Sequence, residues 1–356
     1  MHQNFTLSRM KEKLVSVIIP TFNRAYSVVE AINSVKNQSY PAVQIIVIDD
    51  GSEDETAEKI GQFEGIEYYY QENKGQAAAR NLGLKYAKGE YLASLDSDDI
   101  WESEFLTDAV MCLEKHDLDF VFLNWKSTDG KSSLLDLWER DNRWQEFTTK
   151  NDGHWRLIDS EDLRSLFMIA CPAPTSSLLL RRIAVSSWNE ETIVADDWLL
   201  ILEMVLSKPC RAAFTLSQYW LKRVFGDNIY DGRDILEVTG NNLTDDRLMK
   251  RILFSHMTAS EKYILRKRIA YTHLNLGRLN WKRDHISKVV IYNVTKAFTL
   301  APVGVSFYIL EIFVNHFKYR MNGLPSDNVI GKYKKNQRLT KNRKEDIPDI
   351  SDKNVL

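Results

Sequence analysis

Three carboxylates, Asp96, Asp98 and Asp99, fall within four residues directly after the apolar run at residues 91–95. An apolar run of this length predicts a buried strand, so the acids should lie at its carboxyl end. Clustered carboxylates without a nearby histidine or cysteine suit a hard divalent cation that is shared with a phosphate. The alternative is a solvated loop in which Asp99 caps the helix that follows.

A second pair of acids, Asp49 and Asp50, ends the apolar run at residues 44–48. A carboxylate at the end of a strand can accept hydrogen bonds from a ribose or from a base N–H. An acid before Gly51 and Ser52 is equally typical of a simple turn, so both interpretations stay open.

Lys74 and Arg80 are the natural counter-charges for these acids, and Gly75 allows close backbone approach to a ligand at a helix start. A charged pair of this kind is also typical of a solvated surface. The sequence contains no GxxxxGK[ST] phosphate loop and no GxGxxG motif after its first apolar run. This argues against a P-loop NTPase and against a dinucleotide-dependent oxidoreductase.

A third acidic pair, Asp196 and Asp197, precedes an apolar stretch that predicts a helix. Acids at a helix start are stabilised by the helix dipole, which is a sufficient structural explanation. A transfer reaction that inverts the configuration at the transferred carbon also needs a carboxylate to take a proton from an acceptor hydroxyl. The pair lies well downstream of the other acids, together with most of the tryptophans, whose indole faces can stack on sugar rings.

Alternating strands and helices must position these groups. The predicted strands cover residues 14–20, 44–48, 66–70, 91–95 and 118–125, and the predicted helices cover residues 26–35, 53–61, 76–87 and 102–116. Ser52 and Glu55 form a capping-box pattern at the start of the second helix. Parallel strands point in one direction, so the loops that follow them should meet at one edge of an α/β sheet.

The whole chain of 356 residues is divided by these patterns into five parts. They are an N-terminal tail at residues 1–13, a first half of an α/β domain at 14–110, a second half at 111–230, a helical region at 241–320 and a basic, disordered tail at 321–356. A polar, irregular stretch at residues 127–159 predicts a functional insertion.

Net charge, cysteine spacing and the N-terminal sequence limit the possible partners and location of the protein. A net charge of −2 gives no support for a nucleic-acid partner. The three cysteines are widely spaced and are expected to be small apolar residues in a reducing compartment. The first 13 residues lack the apolar core of a signal peptide. We therefore expect a cytoplasmic location.

The apolar segment at residues 289–317 comes closest to a membrane span, but Asn293, Lys296, Pro302 and Glu311 interrupt it. One interpretation is a helical subdomain that packs on the rest of the protein. The other is peripheral contact with the inner face of the cell membrane through residues 289–344, with apolar side chains in the acyl boundary and basic ones on anionic headgroups.

Taken together, four motifs resemble the inverting family 2 glycosyltransferases of the GT-A fold. The motifs are VIIPTFNR at residues 17–24, IVIDDGSED at 46–54, NKG at 73–75 with AARNLG at 78–83, and LDSDD at 95–99. The resemblance covers residues 15–106 well and 118–208 loosely, with little beyond residue 240. It implies a Rossmann-like, mainly parallel sheet flanked by helices, with a C-terminal helical extension.

The resemblance also implies a nucleotide-diphosphate sugar as donor, most often a UDP-sugar, with Mg²⁺ or Mn²⁺ as cofactor. Asp96 and Asp98 would hold the metal, and Asp99 could replace Asp98 as the direct ligand. The nucleotide-sugar contacts would come from Pro20, Thr21, Asn23, Asp50, Lys74, Gly75, Arg80 and Asp96.

By the same resemblance, Asp197 matches the second residue of the Glu-Asp base motif, and Asp196 stands in place of the Glu. The acceptor would be a hydroxyl of a glycan or lipid-linked saccharide in cell-surface polysaccharide synthesis. The processive Gln-x-x-Arg-Trp motif is not apparent, which favours addition of a single sugar. There are two alternatives. One is a sugar-phosphate nucleotidyltransferase, but that class has a glycine-rich loop after its first strand, and residues 21–24 contain no glycine. The other is a non-catalytic glycan-binding protein.

Overall fold

The computed structural model describes residues 13–130, 133–134, 150–225, 233–285 and 287–309. The strands are β1 Val15–Thr21, β2 Val43–Asp49, β3 Glu67–Tyr70, β4 Tyr91–Ser94, β5 Ile100–Trp101, β6 Phe120–Ser127, β7 Lys150–Asp152, β8 Trp155–Ile158, β9 Leu178–Arg181 and β10 Ala212–Lys222. The helices are α1 Ser27–Lys36, α2 Thr56–Ile60, α3 Gln76–Tyr86, α4 Phe105–Lys115, α5 Ser160–Ile169, α6 Asp196–Ser207, α7 Ile235–Leu253, α8 Ala259–Asp284, α9 Lys288–Leu300 and α10 Pro302–Ile309.

All ten strands belong to one sheet, in the order β3-β2-β1-β4-β9-β6-β10-β8-β7, with β5 paired to β10. Strands β3, β2, β1 and β4 are parallel, and β6 is parallel to β10. Strand β9 runs antiparallel to both β4 and β6. This mixed, mostly parallel sheet with flanking helices confirms the predicted α/β class.

The core is centred on β1, whose seven residues are all buried. Helix α3 packs directly on this strand, and Gly83 is the point of closest approach. A Cβ atom at Gly83 would lie 2.5 Å from the Cγ2 atom of Ile18, so a larger residue would push the helix away from the sheet. The glycine therefore fixes the position of the helix that also carries Arg80.

The predicted capping box at the start of α2 is wrong. The helix begins at Thr56, and Ser52 instead accepts a hydrogen bond from the backbone N–H of Asn23 at 2.9 Å. The carboxylate of Asp54 accepts from the N–H groups of Thr56 at 3.0 Å and Ala25 at 3.2 Å. Asp54 thus joins the loops after β1 and β2, which local spacing alone did not predict.

The alternative in which Asp99 caps the following helix is also wrong. Helix α4 begins at Phe105, and the short strand β5 lies between it and Asp99. The acids after β4 therefore have no capping role for α4.

The C-terminal helices confirm the predicted helical extension, which begins earlier than expected, at Ile235. Asp234 caps this helix by accepting from the N–H of Leu236 at 2.8 Å. Helices α7 and α8 contribute buried side chains to the main core, which are Leu243, Leu248, Met249, Leu253, Leu265, Ile269 and Leu276. Residues 310–320 of the predicted helical region, the tail at 321–356 and most of the predicted insertion at 127–159 lie outside the described residues.

Helices α9 and α10 meet at a bend of 116°. Among the described residues, no single helix has the length and apolar character to cross a membrane, although this bent pair meets both criteria when its two helices are taken together.

Candidate functional site

Five carboxylates and one buried guanidinium meet where β4 ends and α6 begins. The acids that follow β4 are contributed by the loop at residues 96–99, and the other two are the first residues of α6. Arg80 on α3 lies between the two groups. The structure therefore brings together the acidic motifs that the sequence separates by about a hundred residues.

In the first group, carboxylate oxygens of Asp96, Asp98 and Asp99 lie within 4.8 Å of one another. Burial and the charge of Asp96 raise the pKa of Asp98 to about 6, and the same causes raise the pKa of Asp99 well above its ordinary value. Such a set of hard oxygen donors with mutual repulsion fits a divalent cation, whose charge would relieve the repulsion.

Of these three acids, Asp99 is the least available to a cation. It is 4% exposed, its Oδ2 accepts from the Ser176 hydroxyl at 2.7 Å, and its Oδ1 accepts from the backbone N–H of Arg223 at 3.2 Å. Asp96 and Asp98 are both partly exposed. They are the better-placed pair for a cation.

Arg80 is 1% exposed and connects the two acidic groups. Its Nη2 donates to Asp96 Oδ1 at 2.6 Å, and its Nη1 donates to Asp196 Oδ2. Its Nε donates to the Ser94 hydroxyl at 3.4 Å. Because all three nitrogens bind protein oxygens in the interior, this placement does not fit the direct nucleotide contact predicted for Arg80.

The two acids of α6 differ in environment. Asp196 is 3% exposed and also accepts from the Gln76 side-chain amide at 3.0 Å. Asp197 is partly exposed, and burial together with the charge of Asp196 raises its pKa to about 7. A carboxylate with this pKa can accept a proton near neutral pH, whereas Asp196 is held in an ion pair with Arg80.

The predicted nucleotide-binding residues at the end of β1 lie at the same edge of the sheet. Pro20 and Thr21 are buried, and no hydrogen-bond partner for the Thr21 hydroxyl is found among the described residues. Asn23 is exposed, adopts a positive φ of 51°, and its side-chain oxygen accepts from the N–H of Glu53 at 2.8 Å. Asn23 therefore orders the loop after β2 as well as its own.

Asp50 organises the loop that leads into α3. It is 4% exposed, and its Oδ1 accepts from the Gln71 amide at 2.7 Å and from the N–H of Lys74 at 2.9 Å. Its Oδ2 accepts from the N–H of Gly75 at 2.8 Å, and Gly75 has a φ of +90° that favours glycine. The Lys74 side chain is exposed.

Arg223, directly after β10, is a site residue that the sequence alone does not predict. Its Nε donates to the backbone carbonyl of Asp98, and its Nη1 pairs with Glu30 on α1. It therefore fixes the loop that carries the acids after β4. The local signal is a basic residue directly after residues 212–222, but nothing local indicates that β10 ends beside the loop after β4.

Most of the tryptophans expected near an acceptor are core residues. The buried ones are Trp101, Trp125, Trp155, Trp188 and Trp220. Trp138 and Trp144 lie outside the described residues. Trp198 is partly exposed and follows Asp197 directly.

The family model described as Glycosyl transferase family 2 matches residues 16–169. The curated UDP-Glc:alpha-D-GlcNAc-diphosphoundecaprenol beta-1,3-glucosyltransferase WfgD of Escherichia coli is 36% identical over 126 residues, which are 35% of this chain and 50% of WfgD. Across several curated relatives, the match spans from 20% to 56% of the relative's own length.

Two solved structures show the same fold. Residues 1–349 of TarS from S. aureus in complex with UDP-GlcNAc match with a TM-score of 0.58 and 19% identity, over 81% of this chain and 82% of that one. The mannosyltransferase PcManGT of Pyrobaculum calidifontis, in complex with GDP-Man and Mn²⁺, matches with a TM-score of 0.52 and 16% identity, over 88% of this chain and 83% of that one. The fold is GT-A.

Proposed function

We propose that the protein is an inverting glycosyltransferase, on the premise that residues 16–169 match the family model described as Glycosyl transferase family 2. It moves a sugar from a nucleotide-diphosphate donor to a hydroxyl of a glycan or lipid-linked saccharide. The observation that carries the proposal is the pair of acidic groups joined by Arg80. One group suits a cation and a diphosphate, and the other suits a proton acceptor.

A UDP-sugar is the proposed donor. WfgD is named for UDP-Glc, and the TarS structure contains UDP-GlcNAc. The name of WfgD also gives its acceptor as a saccharide on diphosphoundecaprenol. This supports a lipid-linked acceptor and a role in cell-surface polysaccharide synthesis for this protein as well.

Each residue then has a chemical role. Asp96 and Asp98 would hold Mg²⁺ or Mn²⁺, which would supply positive charge to balance the departing diphosphate. Asp197 takes the proton of the acceptor hydroxyl while that oxygen forms a bond to the anomeric carbon and the bond to the diphosphate breaks. Attack from the face opposite the leaving group inverts the configuration of the anomeric carbon.

Arg80 supports this arrangement from the interior. Its ion pair with Asp196 offsets part of the negative charge beside Asp197, and its ion pair with Asp96 orients the donor-side carboxylate. We therefore propose Arg80 as a link between the two acidic groups, in place of its predicted nucleotide contact.

Incubation with a panel of nucleotide sugars tests the proposal. We expect one UDP-sugar to release UDP in the presence of Mn²⁺, and we expect a chelator to abolish the release, because the diphosphate needs a counter-charge. The measurement is UDP formed per enzyme over time. Pyrophosphate release from a nucleoside triphosphate and a sugar phosphate would instead identify a nucleotidyltransferase. Binding of glycans without turnover of any donor would identify a non-catalytic protein.

Peripheral membrane contact is a further part of the proposal, and the outer face of α9 and α10 supports it. The exposed apolar side chains on this face are Val289, Ile291, Tyr292, Phe298, Val303 and Phe307. Residues 285–310 contain no Asp or Glu but include Lys288 and Lys296. An apolar face with basic residues and no acids suits the boundary of an anionic bilayer. Residues 310–344 of the predicted contact lie outside the described residues.

Flotation with liposomes that contain anionic lipid tests this contact. We expect the parent protein to float and the variant Phe298→Asp/Phe307→Asp to stay largely in the soluble fraction, because each carboxylate opposes burial in the acyl boundary. Ile183→Asp is the matched control, since Ile183 is 93% exposed but lies outside the C-terminal helices. Equal flotation of the parent and the double variant would contradict the contact.

A further inference from the structure

The loop at residues 193–195, directly before Asp196, is bound by a carboxylate from a distant helix. Three consecutive backbone N–H groups donate to Asp245 on α7. Ile193 donates to Oδ1 at 2.9 Å, and Val194 and Ala195 donate to Oδ2 at 2.8 and 2.9 Å. Asp245 is 1% exposed. This set of contacts places a buried negative charge at the N-terminal end of α6.

The contacts matter because α6 has no side-chain cap of its own. Ala195 occupies the N-cap position and offers no side-chain acceptor. The orphan N–H groups at a helix start are ordinarily satisfied by a capping side chain in the same segment. Here an acid on α7 fixes the backbone immediately before the helix.

The residue after the acidic pair is also held by the C-terminal helices. The guanidinium of Arg268 on α8 lies 4.1 Å from the centre of the Trp198 indole, and its Nε pairs with Asp246 Oδ1 at 2.7 Å. The Trp198 indole N–H donates to the backbone carbonyl of Phe167 at 2.7 Å. The backbone before the acidic pair is therefore anchored by α7, and the Trp198 side chain after it contacts α8 and α5.

We propose that Asp245 is a positioning residue for Asp197. We also propose that α7 and α8 support the part of the site where the acceptor binds. This inference rests on the proposed function, in which Asp197 takes the acceptor proton. Arg80 fixes the acidic pair from the donor side, and Asp245 fixes it from the C-terminal side. The position of the Asp197 carboxylate is set by both anchors.

The variant Asp245→Asn tests the proposal. It keeps the size of the side chain but removes the charge and replaces one of the two acceptor oxygens with an amide N–H₂. At least one of the three backbone N–H donors then loses its acceptor, so the loop must shift. We expect kcat for transfer to fall about tenfold or more, because a small misplacement of a reacting group is costly. We expect UDP affinity in the presence of Mn²⁺ to stay within about twofold of the parent, since the donor-side acids lie on other elements.

Two further variants complete the test. Glu237→Gln is the matched control, because Glu237 is an exposed acid on the same helix, and it should retain parental kcat. Asp245→Glu keeps the charge, and we expect its kcat to lie between those of the parent and the Asn variant. If the Asn variant does not fold, the Glu variant still tests the inference. We then expect the pH at which kcat/KM for transfer rises to differ from that of the parent, because the Asp197 carboxylate has moved.

Parental kcat and a parental pH profile in the folded Asp245 variants would overturn the inference, even if their melting temperature falls. Failure of the proposed function would look different, because the parent itself would then transfer no sugar.

Discussion

The variant Asp98→Ala should lose sugar transfer almost completely, by roughly 10³-fold or more. Asp98 is one of the two carboxylates that are best placed to hold the divalent cation. Without it, the charge that develops on the departing diphosphate is no longer balanced. The loss should appear in kcat for transfer and in donor hydrolysis alike.

Calorimetric titration with UDP separates this role from a general loss of structure. We expect Mn²⁺ to tighten UDP binding to the parent protein but to have little effect on the Asp98→Ala variant, because Asp98 would be one of the carboxylates that hold the metal ion near the diphosphate. Asp117→Ala is a suitable control, since the Asp117 side chain is 82% exposed on a distant surface. The same stimulation by Mn²⁺ in variant and parent would remove Asp98 from the metal site.

The variant Asp197→Asn should keep donor binding and lose transfer by roughly 10²-fold or more. The amide keeps the shape of the side chain but cannot take a proton from the acceptor. Glu203→Gln provides a control on the same helix, and it should remain close to the parent. Transfer near the parental rate in the Asn variant would move the proton acceptor elsewhere, with Asp196 as the next residue to test.

The pH profile gives the same residue an independent signature. The pKa of Asp197 is raised to about 7 by burial and by the charge of Asp196. Only the deprotonated carboxylate can accept a proton, so transfer by the parent should rise with pH through about 7 and then level off. This acid limb, measured as kcat/KM against pH, should be absent from the residual activity of the Asn variant.

Much of the donor side could be predicted from sequence because each of its elements is encoded by a continuous stretch. The apolar runs that form β1, β2 and β4 are short and end in polar residues. Their parallel pairing then brings the loops after them to one edge. These two facts alone predict that Asp96 and Asp50 lie at that edge.

The contacts between distant segments could not be predicted in this way. Arg80 and Asp196 are 116 residues apart, and no local pattern pairs them. The same holds for Asp245, whose three N–H partners lie about 50 residues earlier. Hydrophobic periodicity describes which face of an element is buried, but it does not say which element covers that face.

The buried guanidinium of Arg80 has a consequence for how the chain folds during synthesis. One of its carboxylate partners, Asp96, is translated soon after it, but the other follows only at Asp196. Strand β9, which lies between β4 and β6 in the sheet, is also translated late. Until Asp196 and β9 are translated, Arg80 lacks one of its two carboxylate partners and β4 lacks a neighbouring strand, so the nascent N-terminal half should be less stable than the complete domain. The two halves should therefore acquire their native structure in a single cooperative step, after α6 has left the exit tunnel.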